Sequence, residues 1–344
     1  MKSKIEIDPN SQTPVYKQLI QSVQYLVETG KYKQGEFLPS PKDVGNDLEI
    51  SNETVKKAYS ILREKGIIDS YPGKGFFISK NEQKKIRILL AFDKISTYKQ
   101  VLYSSFIANI GDTSEITMRL HNQDIDLFEQ FIEENLGKYD YYLVTPHFPL
   151  QADIQKRVIK ALNKIPSGKL IILDKHLEGL SGNYGSIYQD FENDIFYGLT
   201  QSIDILKQFK KLNVISLEGS CLYAPVLEKG IKRFCDKNQI DYIIHKNINP
   251  DIIQKDEAYL VLVSQLDTDL IELVRIAKTK DCNIGEDIGI ISYNESPVNE
   301  IILNGLTVLS TDFIQMGELA AKMIKENNLQ KIKCDFQLIK RNTF

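Results

Sequence analysis

No run of eighteen apolar residues interrupts this chain of 344, and its first segment, MKSKIEIDPNSQTP, carries lysines with no apolar stretch behind them. The first absence excludes a membrane-spanning helix and the second a secretory signal, so a cytosolic protein is expected. Cysteine is scarce. Cys221, Cys235, Cys282 and Cys334 are scattered without a CxxC pair, which suits reduced structural thiols better than a disulfide frame or a zinc site. No P-loop, HExxH, GxSxG or metal-ligand cluster occurs, so neither catalysis nor a cofactor is expected. An excess of one charge is also lacking, since the formal net charge is −3. That charge is unevenly spread, with 12 basic against 10 acidic residues in 1–80 and 31 against 36 in the remainder. A slightly basic head on an acidic body has the sign of a nucleic-acid-binding segment, but the excess is small. Low-complexity tracts and short repeats are absent, and 42% apolar with 26% charged residues are ordinary globular proportions. The length predicts two or three compact units with sizeable cores.

What is present begins with a helix over about 15–29, where Val15, Leu19, Val23, Leu26 and Val27 fall near one face before Gly30. In LPSPKDVGNDLEI, Ser40 is an N-cap candidate, Pro41 takes the first helical position and Asp43 stands where a capping carboxylate belongs. Ser51 then opens NETVKKAYSILREKG, with Val55, Ala58, Tyr59 and Leu62 at helical steps. Only Glu49 and Ile50 remain as connector, so the two helices must turn sharply, as in a helix-turn-helix. IIDSYPGKGFFISK reads as two short strands around Pro72-Gly73-Lys74-Gly75. The second helix of the pair is expected to enter a major groove with its first turn. There Asn52 pairs with adenine, Lys56 reaches guanine or phosphate, and Glu53 shares the same face. Ser40 and Thr54, at helix starts, suit phosphate oxygens, and Lys74 at the hairpin tip suits the backbone or a minor groove. With their neighbours, the candidate DNA-contacting set is Ser40, Lys42, Ser51, Asn52, Glu53, Thr54, Lys56, Lys57, Gly73, Lys74 and Gly75. The rival reading is a helical packing domain with a solvated lysine face; the combined spacing argues against it.

The stretches PVYKQL, LPSPKDVGNDLEISNETVKKAYSILREKGII and GKGFFI resemble the winged-helix head of the GntR family of bacterial regulators, across about residues 9–79. That resemblance implies operator binding as a homodimer. Family members usually carry acidic and arginine residues after LPS and arginines beside the recognition-helix threonine, where this chain has Pro41, Lys42, Asn52 and Lys56. A LacI-type head is not matched, because a full helix precedes the pair and a glycine hairpin follows it.

The polar stretch NEQKK, residues 81–85, reads as a linker between a head of 1–80 and a body of 86–344. IRILLAF, YDYYLVT, KLIILD, LNVISLE, AYLVLVS and IGIISYN are short apolar runs with helical spacing between most of them, which predicts parallel sheets covered on both faces. The first of these runs, KLIILDK followed by SIYQDFEND, and DIGIISYNESPVNEIILNGLTVLSTDFIQMGELAAKMI resemble the effector domain of LacI/GalR regulators, akin to periplasmic sugar-binding proteins. The resemblance implies an α/β body of two lobes joined by three crossovers. Its lobes are expected at about 86–190 with 296–330, and at about 191–295 with 331–344.

In parallel sheets, ligands gather beyond the carboxyl ends of the strands. The residues there are Asp93, His147, Asp174, Lys175, Tyr223, Asp267, Asn294 and Glu295, with Asp190 and Phe191 at the first expected crossover. Carboxylates and amides suit vicinal hydroxyls, and an aromatic ring suits the apolar face of a sugar. Each has an alternative: a strand-end aspartate can be a helix cap, His147 a rim residue, and Tyr223 or Phe191 core. The expected effector is a neutral monosaccharide, arabinose- or fucose-like, that relieves repression of sugar-utilisation genes. A purine or other small metabolite, or a sugar-binding protein without a DNA role, are the alternatives.

Overall fold

A computed structural model describes residues 4–9, 11–79, 85–112, 114–216, 222–262 and 268–344. The chain divides into two units, Met1–Lys85 and Ile86–Phe344. Residues 81–84 of the expected linker, together with Cys221 and Asp267, lie outside the described residues.

The first unit opens with α1 (Val15–Glu28), whose Leu19, Ile20, Val23 and Leu26 are buried. α2 (Pro41–Asp47) starts in a complete capping box: the Ser40 hydroxyl accepts from Asp43 N at 3.2 Å, and the Asp43 carboxylate accepts from Ser40 N at 3.3 Å. α3 (Asn52–Glu64) is capped by Ser51, which accepts from Thr54 N at 3.1 Å. Gly45 permits the tight turn between these helices, because a Cβ there meets the Ile50 carbonyl oxygen at 3.0 Å. The strands β1 (Ile68–Tyr71) and β2 (Gly75–Ile78) pair antiparallel, with Ile68 opposite Ile78. Val55, Ala58, Tyr59 and Leu62 close the core against α1 and the hairpin. Each fully buried aliphatic side chain here stabilises by roughly 1.5–3 kcal/mol over its exposed state.

The second unit alternates strands and helices. Its first lobe holds β3 (Ile86–Phe92), α4 (Thr97–Ile110), β4 (Ser114–Leu120), α5 (Ile125–Asn135), β5 (Tyr141–Val144), α6 (Ala152–Leu162), β6 (Leu170–Lys175) and β7 (Gly185–Gln189). The chain then forms α7 (Phe191–Thr200), α8 (Ile203–Leu206), β8 (Leu212–Ile215), α9 (Ala224–Asn238), β9 (Tyr242–His245), β10 (Glu257–Val261), α10 (Thr268–Thr279), β11 (Ile288–Tyr293) and β12 (Thr307–Thr311) in the second lobe. It returns through α11 (Phe313–Lys325) and β13 (Lys331–Lys333) to the first, and ends with β14 (Phe336–Ile339) in the second. The first sheet runs β13-β7-β6-β5-β3-β4 and is parallel throughout. The second runs β14-β12-β11-β10-β8-β9, with only β14 antiparallel. Helices cover both faces of each sheet, which is why β8, β10, β11 and β12 are buried along their whole length.

The lobe boundaries differ from those expected. β12 pairs in parallel with β11, Thr307 opposite Ile291, so the second lobe continues to Thr311 rather than ending at 295. β13 pairs with β7, Lys331 opposite Ser186, so the first lobe continues to Lys333 rather than 330. The three crossovers therefore fall at Asp190, Asp312 and Cys334–Asp335. The reason lies in the connection: Pro297–Glu300 and Ile302–Asn304 are short 3-10 turns that bring the chain straight back beside β11. Cys235, Cys282 and Cys334 are buried free thiols, and burial pushes those of Cys235 and Cys334 up to about 12. No helix among the described residues is long and apolar enough to cross a membrane.

Candidate functional site

On the head, the α3 surface opposite the core presents Asn52, Glu53, Lys56 and Lys57, all exposed, with Thr54 half-buried. Lys56 Nζ pairs with Glu53 Oε1 at 2.8 Å, and Lys57 Nζ lies 4.1 Å from the centre of the Tyr16 ring. The helix starts are fixed from beneath: the Tyr59 hydroxyl, buried in the core, donates to the Pro39 carbonyl at 2.9 Å. Ser40 spends its hydroxyl proton on Asp43 Oδ2 at 2.6 Å. Ser51 and Thr54 share a hydroxyl hydrogen bond of 2.8 Å. Lys42 stands exposed on α2. At the hairpin tip, Gly73 and Gly75 take φ of 75° and 103°, the left-handed region that admits glycine cheaply. Lys74 between them is exposed.

In the second unit a cavity of about 100 Å³ lies between the lobes at the carboxyl ends of the strands. The expected residues Asp93, His147, Phe191, Tyr223 and Asn294 line it, joined by Lys94, Tyr98, Gln123, Gln189 and Tyr293, with Leu222, Leu227 and Leu262 completing the wall. Asp174 lies beneath this lining, fully buried with φ of 73°. His147 Nε2 stands 3.0 Å from Asp174 Oδ2 and Nδ1 stands 3.8 Å from Asp93 Oδ1. Lys99, buried on α4, pairs with Asp93, to which Thr145 Oγ1 also donates at 3.2 Å. The Tyr98 hydroxyl donates to Asp174 at 3.3 Å. Burial works against both carboxylates, yet the His147 imidazole and the Lys99 ammonium hold them below the usual range. The Phe191 and Tyr223 rings stack at 4.4 Å and 16°, and His147 meets Tyr223 edge-on at 5.1 Å.

Three expected residues sit otherwise. Lys175 is off the lining; its ammonium donates to Gln155 Oε1 at 3.0 Å and lies 5.4 Å from the Tyr223 ring centre, and burial pushes it down to about 8. Asp190 is the N-cap of α7 and accepts from Asn193 N at 3.4 Å and Nδ2 at 2.7 Å. Its carboxylate is spent on the helix start. Glu295 is held by Arg341 in a bidentate pair, 2.9 and 3.1 Å, away from the cavity. Both depart from the expected cleft position for one reason: a carboxylate at a strand end is taken by the nearest unsatisfied donor. Sequence reasoning missed Lys99 and Gln189. Lys99 had a signal, since it stands at helical steps from the buried Leu102, Phe106 and Ile110. Gln189 had only its place before the first crossover.

These features define a winged helix-turn-helix head followed by a two-lobed α/β body of the LacI and periplasmic-binding-protein type. The model of the gntR family of bacterial regulatory proteins matches residues 15–78, the head. HTH-type transcriptional repressor YtrA of Bacillus subtilis (strain 168) is 42% identical over 77 residues, which are 22% of this chain and 59% of YtrA. The match thus spans less than two thirds of that relative. The structure of the Lac repressor dimer bound to operator and the anti-inducer ONPF is similar at a TM-score of 0.59 and 15% identity, over 88% of this chain and 94% of that one. The trehalose repressor from Escherichia coli is similar at 0.56 and 10% identity, over 74% and 100%. At these identities the likeness is one of fold.

Proposed function

We propose that this chain is a transcription regulator that represses sugar-utilisation genes as a homodimer and releases its operator when a neutral monosaccharide, arabinose- or fucose-like, binds between the lobes. The observation that carries the reading is the interlobe cavity with Asp93, His147 and Asn294 beside the stacked Phe191 and Tyr223, in a chain headed by a gntR-family domain. Hydroxyls suit the carboxylate and amides, and a pyranose or furanose face suits the rings. Asn294 Oδ1 is buried with no hydrogen-bond partner among the described residues, so a ligand hydroxyl that donates to it relieves an unsatisfied acceptor. Lys99 and His147 already offset the two buried carboxylates, which favours a ligand without charge. The DNA-facing set is Lys42, Asn52, Glu53, Thr54, Lys56, Lys57 and Lys74, with backbone amides at the Ser40 and Ser51 caps and the Gly73 and Gly75 turn allowing close approach.

The cavity of about 100 Å³ is smaller than the ~150 Å³ that admits benzene, so a sugar enters only when the lobes part. Ligand then selects a different lobe arrangement, and each ~1.4 kcal/mol of differential affinity shifts the balance tenfold. A thermal-shift screen against L-arabinose, L-fucose, D-glucose, sugar phosphates and nucleosides tests the reading, because a ligand of the folded state raises the melting temperature. A selective rise with one neutral sugar, lost in Asp93→Asn, is the expected result. A rise with a nucleoside alone replaces the sugar by a purine-type effector.

A further inference from the structure

Gln189 is the last residue of β7 before the chain leaves the first lobe, and it is 4% exposed. Its Nε2 donates to Asp174 on β6 of the first lobe. Its Oε1 accepts from Thr311 Oγ1 at 2.9 Å and from the Tyr293 hydroxyl at 3.2 Å, and those two residues end β12 and β11 of the second lobe. Thr311 in turn immediately precedes the second crossover, so one amide ties two crossover strands together and lines the cavity as well. The amide has one usable orientation. Asp174 is ionised and accepts only, so the NH2 must face it, and the carbonyl oxygen is left for the two hydroxyls. All four groups are buried, so breaking the bridge without a substitute strands a polar atom.

We infer that Gln189 is a positioning residue that latches the two lobes together over the cavity, and that a ligand entering the cavity must displace this bridge for the lobes to part. The inference deepens the effector reading and rests on it for the ligand's role, while the latch itself is measurable without ligand.

The test uses the full-length protein with nitroxide labels at Leu136→Cys and Ile243→Cys, exposed positions on the first and second lobes, in a Cys221→Ser background. The interlobe distance is read by double electron–electron resonance. Gln189→Leu and Thr311→Val are expected to broaden the distribution and move it to longer distance. Gln189→Glu gives the reading that a merely structural role does not. Ionised, it repels Asp174 and opens the cleft; protonated, it donates to Asp174 and accepts from both hydroxyls as the amide does. Its distribution is therefore expected to return to that of the parent as the pH falls from 8 to 5.5, because burial and the adjacent Asp174 raise its pKa against the opposing pull of His147 and Lys99 in the same cluster. With the latch gone, Gln189→Leu is also expected to bind L-arabinose or L-fucose at least threefold more tightly, since no closed state competes. Unchanged distances in Gln189→Leu, or a pH-independent distribution in Gln189→Glu, overturn the latch. Failure of the parent to bind either sugar counts against the effector reading, while the ligand-free distances still decide the latch.

Discussion

His121 shows how burial sets the state of a single group. The ring is fully buried, stacked on Phe148 at 4.4 Å, with Nδ1 accepting from Gln123 N at 3.3 Å and Nε2 facing the Thr145 carbonyl at 3.2 Å. One nitrogen accepts and the other must donate, so the imidazole is neutral with its proton on Nε2. Burial pushes it down to about 4. The unfolded chain takes up a proton below about 6.5 and the folded chain does not until about 4. Stability is therefore fully present above pH 6.5 and lost as the pH falls toward 4, by about 3 kcal/mol from this group. Urea unfolding at steps from pH 7.5 to 4.5 measures the loss, and His121→Gln should flatten that part of the profile. On the head, the Lys56–Glu53 pair is exposed on both sides and separated by one turn, so it is worth only ~0.3–0.5 kcal/mol and does not compete with a phosphate. Lys56→Ala should weaken operator binding and lower the salt slope by about one unit, read by fluorescence anisotropy from 50 to 200 mM salt.

At the scale of elements, close backbone approach decides where glycine is needed. Gly230 on α9 lies against α7, and a Cβ there meets the Glu192 carbonyl oxygen at 2.2 Å and Ile195 Cγ2 at 2.5 Å. Gly230→Ala must push the two helices apart and should cost about 1–3 kcal/mol. A lower urea midpoint with an unchanged slope is the expected reading. The helices of the head were legible in the sequence because their signals are local: Ser40 with Asp43 and Ser51 with Thr54 are hydrogen-bonded caps, and the buried stripe of α3 follows its spacing. The six strands read from apolar runs were legible because both faces are covered. β4 was not, since as an edge strand its SEITMRL leaves Glu115 and Arg119 exposed. β13, with KIK, carries no apolar run at all.

Across the whole second unit, the lobes are joined at three crossovers, and charge crosses between them near the last. Lys333 of β13 in the first lobe reaches Asp194 of α7 in the second at 2.5 Å, and the Asp194 side chain is 1% exposed. Burial raises the Asp194 carboxyl and Lys333 opposes the rise. Lys333→Met leaves that carboxylate buried with, among the described residues, the Asp190 amide at 2.7 Å for support. The variant should lose about 3 kcal/mol at pH 7.5 and less as the pH falls, because a carboxyl raised by burial is neutralised more readily; thermal melting as a function of pH checks it. The sequence by itself determined the winged head and the α/β body, and it pointed to Asp93, His147, Phe191, Tyr223 and Asn294 at the strand ends around the cavity, because caps, periodicity and apolar runs are written within a few residues of one another. Only the tertiary structure decided that Asp190 and Glu295 serve Asn193 and Arg341 instead of the cleft. It alone put Lys99 and Gln189 against the carboxylates and carried the second lobe to Thr311. Those outcomes depend on which donor lies nearest across strands and lobes distant in sequence, and no local pattern encodes that distance.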